Sequence, residues 1–344
     1  MKSGRALRLS FVPPYNWPAM MAFLAPRAIP GVEAVGPECY RRTISLDGVR
    51  GTVEVRPAPR ASCLLATIRT SRATAPAPIV SRLRRLFDVD ADIGAIEKHL
   101  GRDRRLAACI AAQSGLRVPG AWDGFELAVR AILGQQVSVA AATTLAGRLA
   151  AAYGEAVGTL GDPEEGGLHL VFPRPEALAG ANLASIGLPR ARAAAISALA
   201  ATVLAEQNLF ERSDGLEAAV QRLRRVRGVG EWTAQYIAMR ALHHPDAFPA
   251  ADLGVLRAMG APAARVTPTR ASDIARAWRP WRAYAVMHLW MDSAAALGGS
   301  VNRSARSKRR YSKSGGSARN SILEPPWRAH PTDRARRRAR NRAR

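Results

Sequence analysis

Cysteine is scarce: Cys39, Cys63 and Cys109 lie far apart in a chain of 344 residues. At those spacings they make neither a disulfide framework nor a CxxC metal site, and they suit a reducing compartment. No run of roughly eighteen apolar residues occurs, so no helical membrane span is expected. The N-terminus, MKSGRALRLSFVPPYNW, is positively charged but has no apolar run before its prolines, so no signal peptide is expected. A cytoplasmic protein is expected. Acidic residues are the other shortage. Only 27 Asp and Glu stand against 51 Lys and Arg, a formal net charge of +24. From Val301 onward fifteen basic residues face two acids, and before it 36 face 25. The body is basic without its tail, which favours a polyanionic partner such as nucleic acid.

The texture of the chain changes near Asp90. Before it, PAMMAFLAPRAI (Pro18–Ile29) reads as a short amphipathic helix ending near Pro30-Gly31. CYRRTISLDGVRGTVEVRP alternates around Asp47-Gly48, so two strands should flank a tight turn. ASCLLATIRT reads as a third strand, and SRLRRLFDV begins a helix. Beyond Asp90 the chain is rich in Ala, Leu and Arg, with Gly or Pro breaks. FELAVRAILGQQVSVAAATTLAGRLAAAYG reads as one long helix or as two meeting near Gly134. Two further helices follow in ALAGANLASIGLPRARAAAISALAATVLAEQ. The segment ASDIARAWRPWRAYAVMHLWMDSAAAL is helical on both sides of Pro280. The predicted organisation is α+β: a mixed α/β domain over 1–90, an all-α domain over 91–298, and a basic tail over 299–344. The tail is too polar and too like-charged to offset its ordering entropy, and disorder is expected. Such a tail would raise non-specific DNA affinity, which predicts a steeper salt dependence than that of a chain ending near Ser300.

One stretch asks for a different explanation. GLEAAVQRLRRVRGVGEWTAQYIAMRAL reads as helix, short glycine turn, helix. Gly228 and Gly230 let the backbone turn tightly and approach something outside. A turn opening onto a helix start offers unpaired N–H groups to an anion. This is the helix–hairpin–helix pattern, a clamp for backbone phosphate that reads no base sequence. Twenty residues past Trp232 stands Asp252, in DAFPAADLGVLRAMG. On that stretch alone Asp252 reads first as the N-cap of LGVLRAM. A catalytic role is compatible with that position, because a cap presents its carboxylate at a helix mouth.

Five blocks in order resemble the helix–hairpin–helix DNA glycosylase superfamily, and within it the AlkA type, DNA-3-methyladenine glycosylase II. They are VPPYNWPAMMAFLAPRAIPGVE, GLRVPGAWDGFELAVRAILGQQVSVA, VRGVGEWTAQYIAMRAL, DAFPAADLGV and WRPWRAYAVMHLW. The resemblance runs from about Phe11 to Trp290. It implies an N-terminal mixed α/β domain packed on an all-α helix–hairpin–helix glycosylase domain. It implies Asp252 as the catalytic aspartate, and Trp232, Tyr236, Trp290 and Phe23 as aromatics lining a base pocket. DNA contacts are implied at Gly228, Val229, Gly230 and Thr233. For each aromatic the alternative is plain core packing.

The implied activity is hydrolytic excision of alkylated bases such as 3-methyladenine and 7-methylguanine, with double-stranded DNA as partner and a monomer as the working form. A nucleoid-associated protein of bacterial type is implied. Such an enzyme takes its base out of the stack. An alkylated purine is cationic and is attracted by indole faces. Its charge makes it a good leaving group, so one carboxylate to stabilise the sugar cation suffices where glycosidases use two. Strand-cutting members carry a lysine where Trp232 stands, so no lyase chemistry is expected. The four-cysteine iron–sulfur motif of several relatives is missing, and no cofactor is expected. His243, His244 and His288 find no third ligand at zinc spacing. A monovalent cation at the hairpin carbonyls of Val226 and Val229 is a further family expectation.

The chain also departs from the family. Arg227 replaces the usual proline before Gly228. Gln136 stands where the family has a leucine wedge for the gap left by the flipped base, and it reads equally as a solvated helix-end residue. Arg279 and Arg282 read as a solvated basic face. Two other functions are weighed: a non-catalytic helix–hairpin–helix DNA clamp, and a glycosylase for oxidised or deaminated bases. A clamp needs neither Asp252 nor the aromatic set.

Overall fold

Strand β1 (Arg5–Ser10) is an element the sequence reading did not assign. It is placed by pairing, because Leu7 and Leu9 align antiparallel with Ala66 and Leu64 of β5 (Cys63–Thr70), burying Leu9 completely. The computed structural model describes residues 5–158, 167–206, 208–211, 215–260 and 265–293. The tail over 299–344 lies outside the described residues. Three further strands, β2 (Glu33–Val35), β3 (Tyr40–Leu46) and β4 (Val49–Pro57), complete an antiparallel sheet in the order β1-β5-β4-β3-β2. The turn between β3 and β4 is Asp47-Gly48, with φ of +50° and +72°. Those angles belong to the two-residue turn that matches strand twist, which is why Asp-Gly serves there. Helix α1 (Trp17–Leu24) starts on Asn16, whose side chain accepts from the Ala19 N–H. A single 3₁₀ turn, Ala25–Arg27, continues it.

Helices α2 (Ala77–Leu86), α3 (Ile93–Leu100) and α4 (Arg104–Ala112) lead into the helical part. The long apolar stretch near Gly134 resolves into two helices, α5 (Gly124–Leu133) and α6 (Val139–Tyr153), capped by Asp123 and Ser138. Apart from Glu126 and Arg130, α5 is apolar after its opening glycine, and Phe125 to Val129 and Ala131 to Leu133 are buried, as a helix without a polar stripe must be. Its two charges are paired across the molecule. Arg130 Nη1 meets Glu33 at 2.8 Å and Glu126 at 3.0 Å, while Arg42 Nη2 meets Glu126 at 2.6 Å. The Tyr40 hydroxyl donates to the other Glu33 oxygen at 2.7 Å. This buried network joins the sheet to α5 and gave no sequence signal.

A two-stranded ribbon, β6 (Glu155–Ala156) with β7 (Leu170–Val171), precedes α7 (Pro175–Ala179) and α8 (Arg190–Ala205). Helices α9 (Leu216–Arg224) and α10 (Glu231–Arg240) enclose the glycine turn. The series ends with α11 (Leu253–Met259), α12 (Pro268–Ile274) and α13 over 282–293, the last two separated by a 3₁₀ turn and Pro280. Among the described residues, no helix is long and apolar enough to cross a membrane.

Candidate active site

The turn between α9 and α10 is the predicted hairpin, and its two glycines serve different purposes. Gly228 has a φ of +85°, and a Cβ there would lie 2.4 Å from the Ala195 Cβ on α8. Both backbone and packing therefore demand glycine. Gly230 caps α10 without any side chain, and an added Cβ would meet nothing within 4 Å. It faces open space with the unpaired first-turn N–H groups of α10 beside it. Val226 and Val229 are buried, at 3% and 5% exposure, and anchor the turn from below. The Val229 N–H donates to the Val226 carbonyl at 3.0 Å.

Gln135 fastens the turn to the end of α5. Its Nε2 donates to the Gly228 carbonyl and to the Thr233 Oγ1, each at 3.0 Å, and Arg192 Nη2 donates to the Gln135 carbonyl at 2.7 Å. Thr233 is 2% exposed, and its hydroxyl accepts from Gln135. Gln136 is exposed and held at φ +57°, a region that non-glycine residues seldom occupy. Val137 and Val139 beside it are exposed apolar side chains.

Asp252 sits at the N-cap of α11, as its sequence setting suggests. One carboxylate oxygen accepts from the Val255 N–H at 3.0 Å and from the Trp290 Nε1 at 2.8 Å. The other accepts from the Trp232 Nε1 at 3.1 Å. Two tryptophans 58 positions apart thus converge on one carboxylate. Gly254 makes room for this arrangement. A Cβ there would stand 3.0 Å from Trp290 Cδ1 and 3.1 Å from an Asp252 oxygen.

The four predicted aromatics form one contiguous set. Trp232 stacks on Tyr236 with centroids 5.3 Å apart, Tyr236 lies 6.2 Å from Trp290, and Trp290 stacks on Phe23 at 6.0 Å. Trp232, Tyr236 and Trp290 are half-buried, whereas Phe23 is 4% exposed and lies beneath them. Two arginines that the sequence reading passed over pack on this set. The Arg27 guanidinium carbon lies 3.8 Å from the Phe23 centroid, and that of Arg240 lies 4.9 Å from Phe23 and 5.4 Å from Tyr236. Arg240 also donates to the Tyr236 hydroxyl at 2.6 Å. Burial alone would raise the Tyr236 phenol, but the guanidiniums of Arg240 and Arg27 bring it below its ordinary value. Spacing of four from Tyr236 to Arg240 and from Phe23 to Arg27 was the available signal, since residues four apart share a helix face.

Other expected features differ from this core. Arg282 is not part of a solvated face: its guanidinium pairs with Asp246 at 2.6 and 2.9 Å. Burial pushes His288 down to about 4, so it is neutral at physiological pH. Among the described residues, no group of three or more His, Cys, Asp or Glu side chains is placed to hold a metal ion.

Comparison with known proteins places this geometry among relatives. The AlkA N-terminal domain matches residues 6–123, and the HhH-GPD superfamily base excision DNA repair protein matches residues 129–282. The second match contains the hairpin and Asp252. A probable bifunctional transcriptional activator/DNA repair enzyme AlkA of Mycobacterium tuberculosis is 42% identical over 290 residues, 83% of this chain and 56% of that protein. The chain thus spans little more than half the length of that relative. DNA-3-methyladenine glycosylase 2 of Escherichia coli is 35% identical over 285 residues, 82% of this chain and 95% of that protein. In fold, the chain is similar to the solved 3-methyladenine DNA-glycosylase from Archaeoglobus fulgidus, with a TM-score of 0.71 at 24% identity, covering 84% of this chain and 98% of that one.

Proposed function

The chain belongs to the AlkA type of the HhH-GPD superfamily of base excision DNA repair proteins, and on that footing we propose that it is a monofunctional DNA N-glycosylase that excises alkylated bases by hydrolysis. The observation that carries this reading is the Asp252 carboxylate, fixed by two indole N–H groups at the rim of a half-buried aromatic set. A clamp that only held DNA would need no such carboxylate.

In this reading the damaged nucleotide leaves the stack and its base lies against Trp232, Tyr236 and Trp290. The bond between C1′ and the base nitrogen breaks, and the electron pair departs with the base. Positive charge develops on the sugar as that happens. The Asp252 oxygen that accepts only from Trp232 keeps a lone pair for that charge or for the attacking water. Because the carboxylate is already oriented, little reorganisation is required as the charge develops. Water then bonds to C1′ and its proton passes to solvent. The N–H groups around Gly228, Val229 and Gly230 grip the backbone beside the lesion, and Gln136 projects into the gap in the duplex. The protein works as a monomer on double-stranded DNA.

The test is release of 3-methyladenine from methylated duplex DNA by the wild type and by Asp252→Asn, with products run before and after alkali. Asparagine keeps the cap but loses the charge. Release should fall by at least about a hundredfold, the scale of removing one preorganised charge-stabilising group. Strand breaks should require alkali. Undiminished release by the variant would leave Asp252 as a cap alone.

A further inference from the structure

The aromatic set carries positive charge as well as negative: the guanidiniums of Arg27 and Arg240 pack on its rings, and the Asp252 carboxylate accepts from its indoles. Contacts run from Arg27 to Phe23, from Phe23 to Trp290, and from the Trp290 N–H to Asp252. A second series runs from Arg240 through Tyr236 and Trp232 to the same carboxylate. Aromatic rings stand between the guanidiniums and Asp252 along both series. Arg240 is 4% exposed and is fixed by donating to the carbonyls of Pro119 at 2.7 Å and Gly120 at 3.1 Å. Arg27 is held by donation to the Phe23 carbonyl at 2.8 Å. Further back, Arg130 donates to the Arg27 carbonyl, tying its backbone to the buried network on α5.

Neither arginine meets a carboxylate within this set, so their charge acts on whatever enters. A cationic alkylated base is already drawn to indole faces, and two guanidiniums packed against the Phe23 and Tyr236 rings oppose it in the ground state. A neutral damaged base behaves in the opposite way. It leaves with the electron pair of the C1′–N bond and becomes an anion before a proton from water neutralises it. Fixed positive charge beside that anion lowers the barrier for its departure. Resting on the glycosylase reading above, we propose that Arg27, backed by Arg240, is the specificity-determining residue of the pocket, setting the balance between neutral oxopurines and cationic alkylpurines as leaving bases. The Tyr236 phenol is lowered against its burial by the charges of Arg240 and Arg27 and by the Arg240 hydrogen bond, which agrees with positive charge beside the rings.

The experiment measures single-turnover excision of hypoxanthine and of 7-methylguanine from otherwise identical duplexes, by the full-length wild type, Arg27→Gln and Arg27→Lys. The readout is the ratio of the two first-order constants, neutral over cationic. The ratio should fall by about tenfold or more in Arg27→Gln, with Arg240 retained, and stay within about threefold of wild type in Arg27→Lys, which keeps the charge. An unchanged ratio in Arg27→Gln overturns the inference even if both constants fall, because equal losses report packing over Phe23 and not charge. A wild type that releases 7-methylguanine but no hypoxanthine overturns it too. Release of neither base by the wild type refutes the glycosylase reading itself, which the ratio cannot mimic.

Discussion

Alanine at Gly228 and alanine at Gly230 should give two unlike proteins, although the residues are two apart in one turn. At Gly228 the backbone lies at φ +85°, and left-handed backbone costs an L-residue about 1–2 kcal/mol. The new methyl would also lie 2.4 Å from the Ala195 Cβ, and forced overpacking of this kind costs about 1–3 kcal/mol. Together these predict a loss of about 2–5 kcal/mol, or a Tm lower by about 3–8 °C in a chain of this size. At Gly230 an added methyl meets nothing, and the backbone is in the extended region. A poorer cap is offset by a less flexible unfolded chain, so stability should stay within about 1 kcal/mol of wild type. The methyl would instead occupy the space through which a phosphate approaches. Loss of one charge-assisted hydrogen bond, about 1.5–3 kcal/mol, would weaken duplex binding by roughly ten- to a hundredfold. Thermal unfolding by circular dichroism, with anisotropy titration of a labelled duplex at one fixed salt concentration, reads both quantities. A Gly230→Ala protein that folds and binds as wild type would refute the open-approach argument. A Gly228→Ala protein with an unchanged Tm would refute the steric one.

Three further outcomes are expected. Gly254→Ala pushes on both Trp290 and Asp252 and should slow excision about tenfold with a small change in Tm, because misplacement of a reacting group is costly to rate; a rate within twofold of wild type would show that the site absorbs the shift. Glu33→Gln leaves Arg130 and Arg42 with only Glu126 in a buried setting and should cost about 3–5 kcal/mol in denaturant unfolding; an unchanged midpoint would mean the network is neutral. Asp88 is pushed up to about 7 by burial, against the pull of Arg117, so the folded protein holds a proton that the unfolded chain gives up near pH 4. Stability from this group is greatest below about pH 4 and falls as pH rises to about 7, so Asp88→Asn should raise Tm more at pH 8 than at pH 5, and equal shifts at both would contradict the assignment.

Short-range chemistry in the chain determined much of this protein. Asp47-Gly48 specifies its hairpin because those two residues accept positive φ. Ser138 and Asp252 cap α6 and α11 because their side chains reach the N–H groups three residues on. The glycines before Trp232 specify the turn between α9 and α10, because Gly228 takes a positive φ there. Only the tertiary structure decided the rest. β1 is a strand because β5 offers it a partner. Gln135, and not its neighbour Gln136, turns inward to lock the hairpin. Phe23 reaches the site from a helix more than 200 residues before Tyr236 and Trp290, and lies buried against the Trp290 ring, which no local pattern could have paired with it. Local preference is written in neighbours along the chain, whereas the charge and depth of a pocket come from residues that meet only once the core has closed.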